Sequence, residues 1–301
     1  MDNEEAAPMK RYAAVLACSL LCGAAAAGFA EFGIEGMGVV STAESEVRAS
    51  VTPDGQRIVW GSTSRKGGPG GWDLWQARLR DGRWADAAPL SVNSGANDFD
   101  PIFSADGHWL YFFSNRDGGQ GGDDLYRAPV AADGALGPVE NLGAGVNGKG
   151  NEWAATPSAD GKRLLFASDS FGGAGRHDLF VARWNGKAFV DPKPVPGINT
   201  AADEFDAAWI GDGKAIVYAQ STDVENAPIR LLLAHCDGKT YADSAPWNVS
   251  FNTADGTTLG PVVDVSKPGE ILVSGSAKAP KAGRMDIYRV RAPAAAGKSG
   301  C

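Results

Sequence analysis

Short apolar runs, separated by polar and glycine-rich stretches, recur along this chain at a nearly constant interval. The runs read RIVWGS, WLYFFS, RLLFAS, AIVYAQ and EILVSG, and a tight turn precedes each of them. In four copies the turn contains Asp-Gly, and its aspartates are 52, 54 and 52 residues apart: Asp54, Asp106, Asp160 and Asp212. Pro268 takes this place in the fifth copy. A period of this length with strand-like content predicts a repeat architecture.

The second copy shows what one repeat contains. NDFDPIFS alternates polar and apolar residues up to a turn at Asp106, and WLYFFS is the continuous apolar run expected of a strand covered on both faces. DLYRAPV and PVENLGAGV follow as a third and a fourth strand segment. Four antiparallel strands in about fifty residues are typical of one blade of a β-propeller.

The number of segments predicts how the ring closes. Five sets of three inner strands are present, but only four outer segments lie between them. GMGVVSTAESEV (Gly36–Val47) matches PVPGINTAADEF in length and in its turn, so we expect it to supply the missing outer strand. The predicted fold is an all-β, five-bladed β-propeller of four-stranded blades, closed by an N-terminal strand that completes the last blade. It forms a single domain over residues 31–292, followed by a flexible tail at 293–301.

At this point the repeat resembles a known family. SADGHWLYFFSNRDGGQGGDDLY, preceded by NDFDP, is similar to the repeat of the TolB-like propellers (WD40-like) of exported bacterial proteins. The resemblance covers about residues 35–292 and is strongest in copies two and three; copy four has Arg230 where an aspartate is expected, and copy five lacks the Asp-Gly. It implies an envelope protein with a propeller. TolB itself has six blades and an additional N-terminal domain, so no Tol-Pal role is implied.

The first thirty residues have the layout of a secretory signal peptide. Lys10 and Arg11 precede the apolar run Tyr12–Leu21, and small residues follow, with cleavage expected after Ala27 or Ala30. The apolar run is too short to cross a bilayer. We therefore expect a periplasmic protein without a transmembrane span.

The four cysteines raise the questions of lipidation and of disulfide bonding. Cys18 and Cys22 lie in the predicted signal peptide, where their neighbours fit a lipidation motif poorly, so a free protein is favoured over a lipoprotein. Cys236 and Cys301 are too few for a disulfide framework, and we expect Cys236 to be a small buried hydrophobe in a strand. No Cys or His pair has zinc-like spacing.

The charge balance limits the partners. The formal net charge is −8 and the pI is near 5.0. Nucleic acids and anionic membrane surfaces need a basic footprint, so both are excluded. An envelope protein or a glycan is the expected partner of what we predict to be a monomer.

Acidic residues recur on the innermost strands. The position eight residues before the marker aspartate holds Glu46, Asp98, Glu152 and Glu204, and the position six before it adds Asp100 and Asp206. Because side chains alternate along a strand, both positions are expected to face the central channel. Such a group predicts a calcium site at Asp98, Asp100, Glu152, Glu204 and Asp206, or a site for a cationic or sugar ligand.

A structural role is favoured over ligand binding for these acids, because a residue type repeated in four blades often satisfies backbone N–H groups at a turn. Asp100 and Asp206 break the repeat pattern and are the better functional candidates. Trp153, beside Glu152, is a further ligand-binding candidate near the channel.

Two functions follow from these features. The favoured one is a non-catalytic binding or scaffold propeller that contacts a protein, glycan or cation through its loops and channel mouth. The alternative is a glycoside hydrolase or lyase that uses the carboxylates of the innermost strands. That chemistry needs two carboxyl groups with opposed pKa values, and nothing in the repeat distinguishes a raised-pKa acid. No catalytic residue and, calcium aside, no cofactor is therefore predicted.

Overall fold

The structure, a computed structural model, describes Met1 and residues 31–301. The predicted signal peptide, with its cleavage positions and its two cysteines, therefore lies outside the described residues, apart from Met1. The described residues form five four-stranded antiparallel sheets. None of their segments is a helix long and apolar enough to cross a membrane. The sheets are the blades of a five-bladed β-propeller, so the predicted fold class is confirmed.

Each blade runs from an innermost to an outermost strand. Blade 5 takes its outermost strand from the start of the chain, β1 (Glu31–Ile34). Blade 1 contains β2 (Ser45–Val51), β3 (Arg57–Thr63), β4 (Trp72–Arg80) and β5 (Arg83–Pro89). Blade 2 contains β6 (Asp98–Phe103), β7 (Trp109–Ser114), β8 (Asp124–Pro129) and β9 (Glu140–Asn141). Blade 3 contains β10 (Glu152–Pro157), β11 (Arg163–Ser168), β12 (Asp178–Trp184) and β13 (Phe189–Pro194). Blade 4 contains β14 (Asp203–Ile210), β15 (Ala215–Ser221), β16 (Arg230–Cys236) and β17 (Tyr241–Pro246), and blade 5 adds β18 (Thr258–Val263), β19 (Glu270–Gly275) and β20 (Asp286–Arg291).

The Asp-Gly marker builds the first hairpin of a blade. Asp106 accepts hydrogen bonds from the Ser104 hydroxyl at 2.5 Å and from the His108 amide at 3.0 Å. Gly107 takes a φ of +74°, which costs glycine little because it has no Cβ. The turn returns the chain into the second strand, whose side chains, such as Phe112, pack between blades. The equivalent aspartates of blades 1 and 3 make the same bonds.

An asparagine after the outer strand locks blades 1 to 4. Asn147 accepts a hydrogen bond from the Leu125 amide at 2.9 Å and donates one to its carbonyl at 3.0 Å. Its side chain thus continues the pairing that the outer strand begins. Asn93, Asn199 and Asn252 bond in the same way to Leu74, Leu179 and Leu231.

Closure by an N-terminal strand is confirmed, but the predicted position of that strand is wrong. β1 pairs antiparallel with β20 and ends at Ile34, before the predicted segment Gly36–Val47 begins. Part of that segment is the loop after the outer strand, where Ser41 bonds to the Ile287 amide at 3.1 Å in place of the asparagine. The match to PVPGINTAADEF therefore identified the loop, because loop residues carry the repeated turn pattern.

A buried ion-pair cluster holds the closing segment. Arg289 donates to Glu35 at 2.5 Å, to Asp264 at 2.6 Å and to Glu270 at 2.8 Å. Burial would lower the pKa of Arg289, but these carboxylates outweigh it and raise that pKa. The Trp84 indole of blade 1 donates to Glu35 as well. The cluster therefore joins the N-terminal segment to both blades 5 and 1.

Two predictions about the last residues are corrected by a disulfide. Cys236 of β16 is bonded to Cys301, 65 residues later. The Lys298 amide also donates to the Cys236 carbonyl at 2.8 Å. Residues 293–301 are thus held against blade 4 and do not form the free tail that the sequence predicts. Cys236 is buried, as expected, but it is a disulfide partner and not a simple hydrophobe.

We expect Arg289→Gln to lower the free energy of unfolding by about 3 kcal/mol, because it leaves three largely buried carboxylates without their cation. Arg80→Gln is the matched control, since Arg80 and its partner Asp86 are 62% and 65% exposed. That change should cost less than about 0.5 kcal/mol. Urea unfolding measures both. Equal losses of unfolding free energy in Arg289→Gln and Arg80→Gln would show that the cluster does not hold the ring closed.

Candidate functional site

A β-bulge occurs at one equivalent position in every innermost strand. At each bulge the pairing with the second strand shifts register. The residue there has a left-handed backbone, a conformation that costs a non-glycine residue roughly 1 kcal/mol or more. The five residues, with φ of 43°, 54°, 56°, 45° and 64°, are Arg48, Asp100, Ala154, Asp206 and Gly260. Their recurrence makes them one layer around the channel axis.

Arg48 crosses this layer. Its side chain is 0% exposed and reaches from blade 1 to blade 3, where it donates to the Thr156 hydroxyl at 2.6 Å and to the Ala154 carbonyl at 3.3 Å. Its guanidinium lies 3.6 Å from a carboxylate oxygen of Asp206. Gly260 packs closely on the Arg48 backbone, since a Cβ at Gly260 would lie 3.1 Å from it. Arg48 therefore fills the channel at this level.

Asp100 and Asp206 complete the layer. They share a side-chain hydrogen bond, and Asp206 also accepts one from the Gly260 amide at 2.9 Å. Burial and the neighbouring Asp206 raise the pKa of Asp100 well above its usual range. Burial also raises the pKa of Asp206, but Arg48 opposes it. Of the two carboxyl groups, Asp100 therefore keeps its proton to the higher pH, and Asp206 is the one that pairs with Arg48.

The four acids eight residues before the marker are engaged elsewhere. Glu204 accepts hydrogen bonds from the Thr200 amide at 2.9 Å, from the Thr200 hydroxyl at 2.6 Å and from Gln220 at 2.7 Å. Burial raises its pKa. Glu46, Asp98 and Glu152 likewise accept from the amides of Thr42, Ser94 and Gly148. Each acid thus ties down the loop that enters its own blade, and Asp98 adds an ion pair with Arg116 at 2.5 Å.

The bulge explains why the acids do not gather as the alternation rule predicts. An extra residue reverses the alternation, so the two positions do not share the channel face. Of the five acids predicted as calcium ligands, only Asp100 and Asp206 meet. Among the described residues no three His, Cys, Asp or Glu side chains are grouped so that they could hold a metal ion.

Trp153 lies next to the bulge layer, one residue before the Ala154 bulge. Its ring stacks on His177 with centroids 3.8 Å apart, and its indole donates to Asp123 of blade 2 at 2.7 Å. His177 is buried, and its Nδ1 is 3.1 Å from Asp203. Burial would raise the pKa of Asp203, but its bonds to His177 and to neighbouring Arg176 lower it. Trp153 is therefore a packed bridge between blades.

On the other side of the bulge layer the channel widens into a pocket of about 720 Å³. All five innermost strands or their turns contribute to its walls. Most of the lining is apolar: Ile102, Phe103, Pro157, Ala208, Trp209, Val262 and Val263. Three charged residues also line it: Asp160, Arg163 and Asp212. Its three hydroxyl groups already have partners within the protein. Ser50 accepts from the Phe103 amide, Thr156 bonds Arg48 and the Ala207 carbonyl, and Ser158 bonds Asp160.

Sequence reasoning selected Asp100 and Asp206 but missed Arg48 and Thr156. A signal for Arg48 was present, because it occupies the same position, six residues before the marker, in copy one. A single cation and two acids at equivalent positions of a closed ring indicate charge pairing across the channel. Thr156 has no comparable signal, since hydroxyl residues are frequent throughout the repeats.

Asp206→Asn should lower the free energy of unfolding by about 3–5 kcal/mol, because the buried charge of Arg48 loses its counter-ion. Asp100→Asn should change it by less than about 1 kcal/mol, since an amide donates the same bond to Asp206. The two substitutions are chemically identical, so each controls the other.

The same pair predicts a pH dependence. The pKa of Asp100 is higher in the folded protein than in the unfolded chain, so its stabilising effect is full at low pH and is lost as the pH rises through the folded pKa. Asp100→Asn should remove this component from the pH profile of urea unfolding. Equal stability losses in the two variants would contradict the assigned proton.

Calcium should not raise the melting temperature more than magnesium does at the same ionic strength, because the acids that would bind it are already engaged. Differential scanning calorimetry measures this. A rise that only calcium produces, and that Asp100→Asn with Asp206→Asn abolishes, would restore the calcium site predicted from the sequence.

Comparison with known proteins supports the fold. No family model and no curated protein sequence matches the chain. Among solved structures, an endo-arabinase from Bacteroides thetaiotaomicron is similar, with a TM-score of 0.57, 13% identity and coverage of 88% of this chain and 99% of its own. A thermostable family-43 glycoside hydrolase has a TM-score of 0.56 at 12% identity, over 88% of this chain and 98% of its own.

TolB from Acinetobacter baumannii is similar at a TM-score of 0.50 and 16% identity, over 83% of this chain. This chain spans only 55% of the length of that TolB. Identities this low establish a shared propeller fold, and a fold of this kind serves both binding proteins and hydrolases.

Proposed function

We propose that this protein is a non-catalytic, exported binding propeller of the bacterial cell envelope, whose central pocket receives an apolar part of a partner protein. The observation that supports this proposal is the contrast between the two levels of the channel. The polar level is filled by Arg48 and its partners, whereas the open level is an apolar pocket to which all five blades contribute. Concave apolar sites of this size are typical binding sites.

The channel acids do not support the alternative, a glycoside hydrolase. That reaction needs two carboxyl groups about 5 Å or more apart, placed on either side of the sugar. Asp100 and Asp206 are hydrogen-bonded to each other, both are buried, and Arg48 lies against them. No room for a sugar is left between the two carboxyl groups. The similar hydrolases therefore support the fold and not the activity.

The pocket lining favours a protein partner over a glycan. A glycan presents many hydroxyl groups, which need free donors and acceptors in the site. Here Ser50, Thr156 and Ser158 have internal partners, and most of the remaining wall is apolar. The charged groups of the wall, Asp160, Arg163 and Asp212, would face polar groups of the partner protein. Apolar side chains gain about 25 cal/mol for each Å² that they bury in such a site.

The disulfide supports the export of the protein. Disulfides persist in the periplasm and other oxidising compartments and are rare in the cytosol. The Cys236–Cys301 bond thus fits the periplasmic location that the N-terminal sequence predicts. The repeat that resembles TolB-like propellers fits the same location.

Ala159→Asp should reduce capture of the envelope partner at least about tenfold, because 1.4 kcal/mol already corresponds to that factor and a charge is costly to bury in an apolar contact. Ala159 lines the pocket and is exposed, so the fold should tolerate the change. Ala131→Asp, in an exposed outer turn of blade 2, is the matched control with the same added charge.

The measurement is cross-linking in envelope extract followed by quantitative mass spectrometry of the proteins bound to each variant. Equal capture by Ala159→Asp and Ala131→Asp would contradict the proposed site. Turnover of arabinan-type substrates that Asp206→Asn abolishes would instead establish the hydrolase.

A further inference from the structure

Arg163 is the only positively charged residue among the described residues that line the central pocket. It begins β11 of blade 3, and its guanidinium lies over the ring of Trp209 in blade 4, 4.8 Å from the ring centroid. This stacking holds the guanidinium at the pocket wall. Because the N–H groups of a guanidinium lie in its plane, stacking on one face leaves them free to donate.

Arg57 shows what the equivalent arginine does in blade 1. It also lies three residues after the marker aspartate, and its guanidinium is 5.8 Å from the ring centroid of Phe103 in the next blade. There it donates to the Gly134 carbonyl at 2.5 Å. The guanidinium of Arg163 donates no hydrogen bond to any described residue. The same stacked arginine thus has an acceptor within the protein in blade 1 and keeps its donors for a ligand in blade 3.

The two acids of the pocket wall do not form an ion pair with Arg163. Asp160 accepts hydrogen bonds from the Ser158 hydroxyl at 2.7 Å and from the Lys162 amide at 3.1 Å, as the marker aspartate of its own turn. Those bonds, with the nearby charge of Arg163, lower the pKa of Asp160. Asp212 accepts no hydrogen bond from any described residue. The pocket therefore offers donors for an anion at Arg163 and an acceptor for N–H groups at Asp212.

The shape of the pocket favours the end of a chain over a continuous segment. Its inner end is closed by the bulge layer, since Thr156 lines the pocket and accepts a hydrogen bond from Arg48 at 2.6 Å. A continuous segment would have to enter and leave through the same mouth, whereas a chain end needs to enter only once. A C-terminal residue carries a side chain, an N–H group and a carboxylate, which match the three kinds of wall.

We propose that the central pocket binds the C-terminus of a partner protein, whose α-carboxylate accepts two hydrogen bonds from Arg163. The last apolar side chains lie against the walls, and Asp212 accepts from a backbone N–H of the same chain end. Paired bonds between a guanidinium and a carboxylate are strong and fix the orientation of the bound group. This inference rests on the proposed function, because it names the part of the partner that the pocket receives.

The test measures the retention of synthetic hexapeptides on the immobilised full chain by quantitative mass spectrometry. The last three positions of the peptides are mixtures of Leu, Val and Phe, and the pool is made either with a free C-terminal carboxylate or with a C-terminal amide. The carboxylate pool should be retained at least about tenfold better than the amide pool, since hydrogen bonds to a charged group contribute enough for that factor.

Arg163→Gln should remove this preference and leave the retention of the amide pool unchanged. Arg80→Gln, which removes an exposed arginine of blade 1, is the matched control and should keep the preference. Arg163→Lys should keep part of it, because lysine retains the charge but not the planar pair of donors. Near-UV circular dichroism checks that each variant is folded.

Equal retention of the two pools by the unmodified protein, with both lowered by Ala159→Asp, would overturn the binding of a C-terminus and leave the apolar pocket in place. A preference that survives in Arg163→Gln would overturn it as well. A third pool, amidated and with Glu before the three apolar positions, represents an internal acid, and its retention at the level of the carboxylate pool would also contradict the proposal. Retention that Ala159→Asp does not lower for any pool would contradict the pocket itself and therefore the proposed function.

Discussion

The guanidinium of Arg48 is the contact on which the centre of this propeller depends. It leaves blade 1, lies against Asp206 of blade 4 and bonds to Thr156 of blade 3, with no exposed surface. A buried charge is tolerated only when it is paired and hydrogen-bonded, so these blades must hold their bulges in register. Gly260 packs against the Arg48 backbone, and burial beside Asp206 raises the pKa of Asp100. The five innermost strands are equivalent in backbone, but their bulge residues have different roles.

Acidic residues have two separate roles in the ring. Those at the start of the innermost strands, such as Glu204, accept hydrogen bonds from amides of the loop that enters the blade. Those at the bulges balance Arg48. Both sets have partners within the protein, and the proposed function therefore rests on the pocket beside the bulge layer. The likeness to both TolB and glycoside hydrolases is consistent with this, because a propeller scaffold does not determine what its channel does.

The two ends of the described chain stabilise neighbouring parts of the ring. β1 completes blade 5 and is fixed by Arg289, while residues 293–301 cross to blade 4 and are fixed by a disulfide. The first restraint closes a sheet edge that would otherwise be free to pair with another chain. The second begins directly after Ala292, which lines the pocket, and passes beside Gly211.

The sequence by itself determined the blade count, the strand order and closure from the N-terminal side. These properties follow from a local pattern, the Asp-Gly turn between apolar runs, which each blade can form on its own. It also selected Asp100 and Asp206. Tertiary structure alone decided that Arg48 pairs with Asp206, that β1 lies at Glu31–Ile34 and that Cys236 bonds to Cys301. The reason is physical: those contacts join distant parts of the chain, and the left-handed bulge that aims the central side chains recurs at a fixed position but not with one residue type.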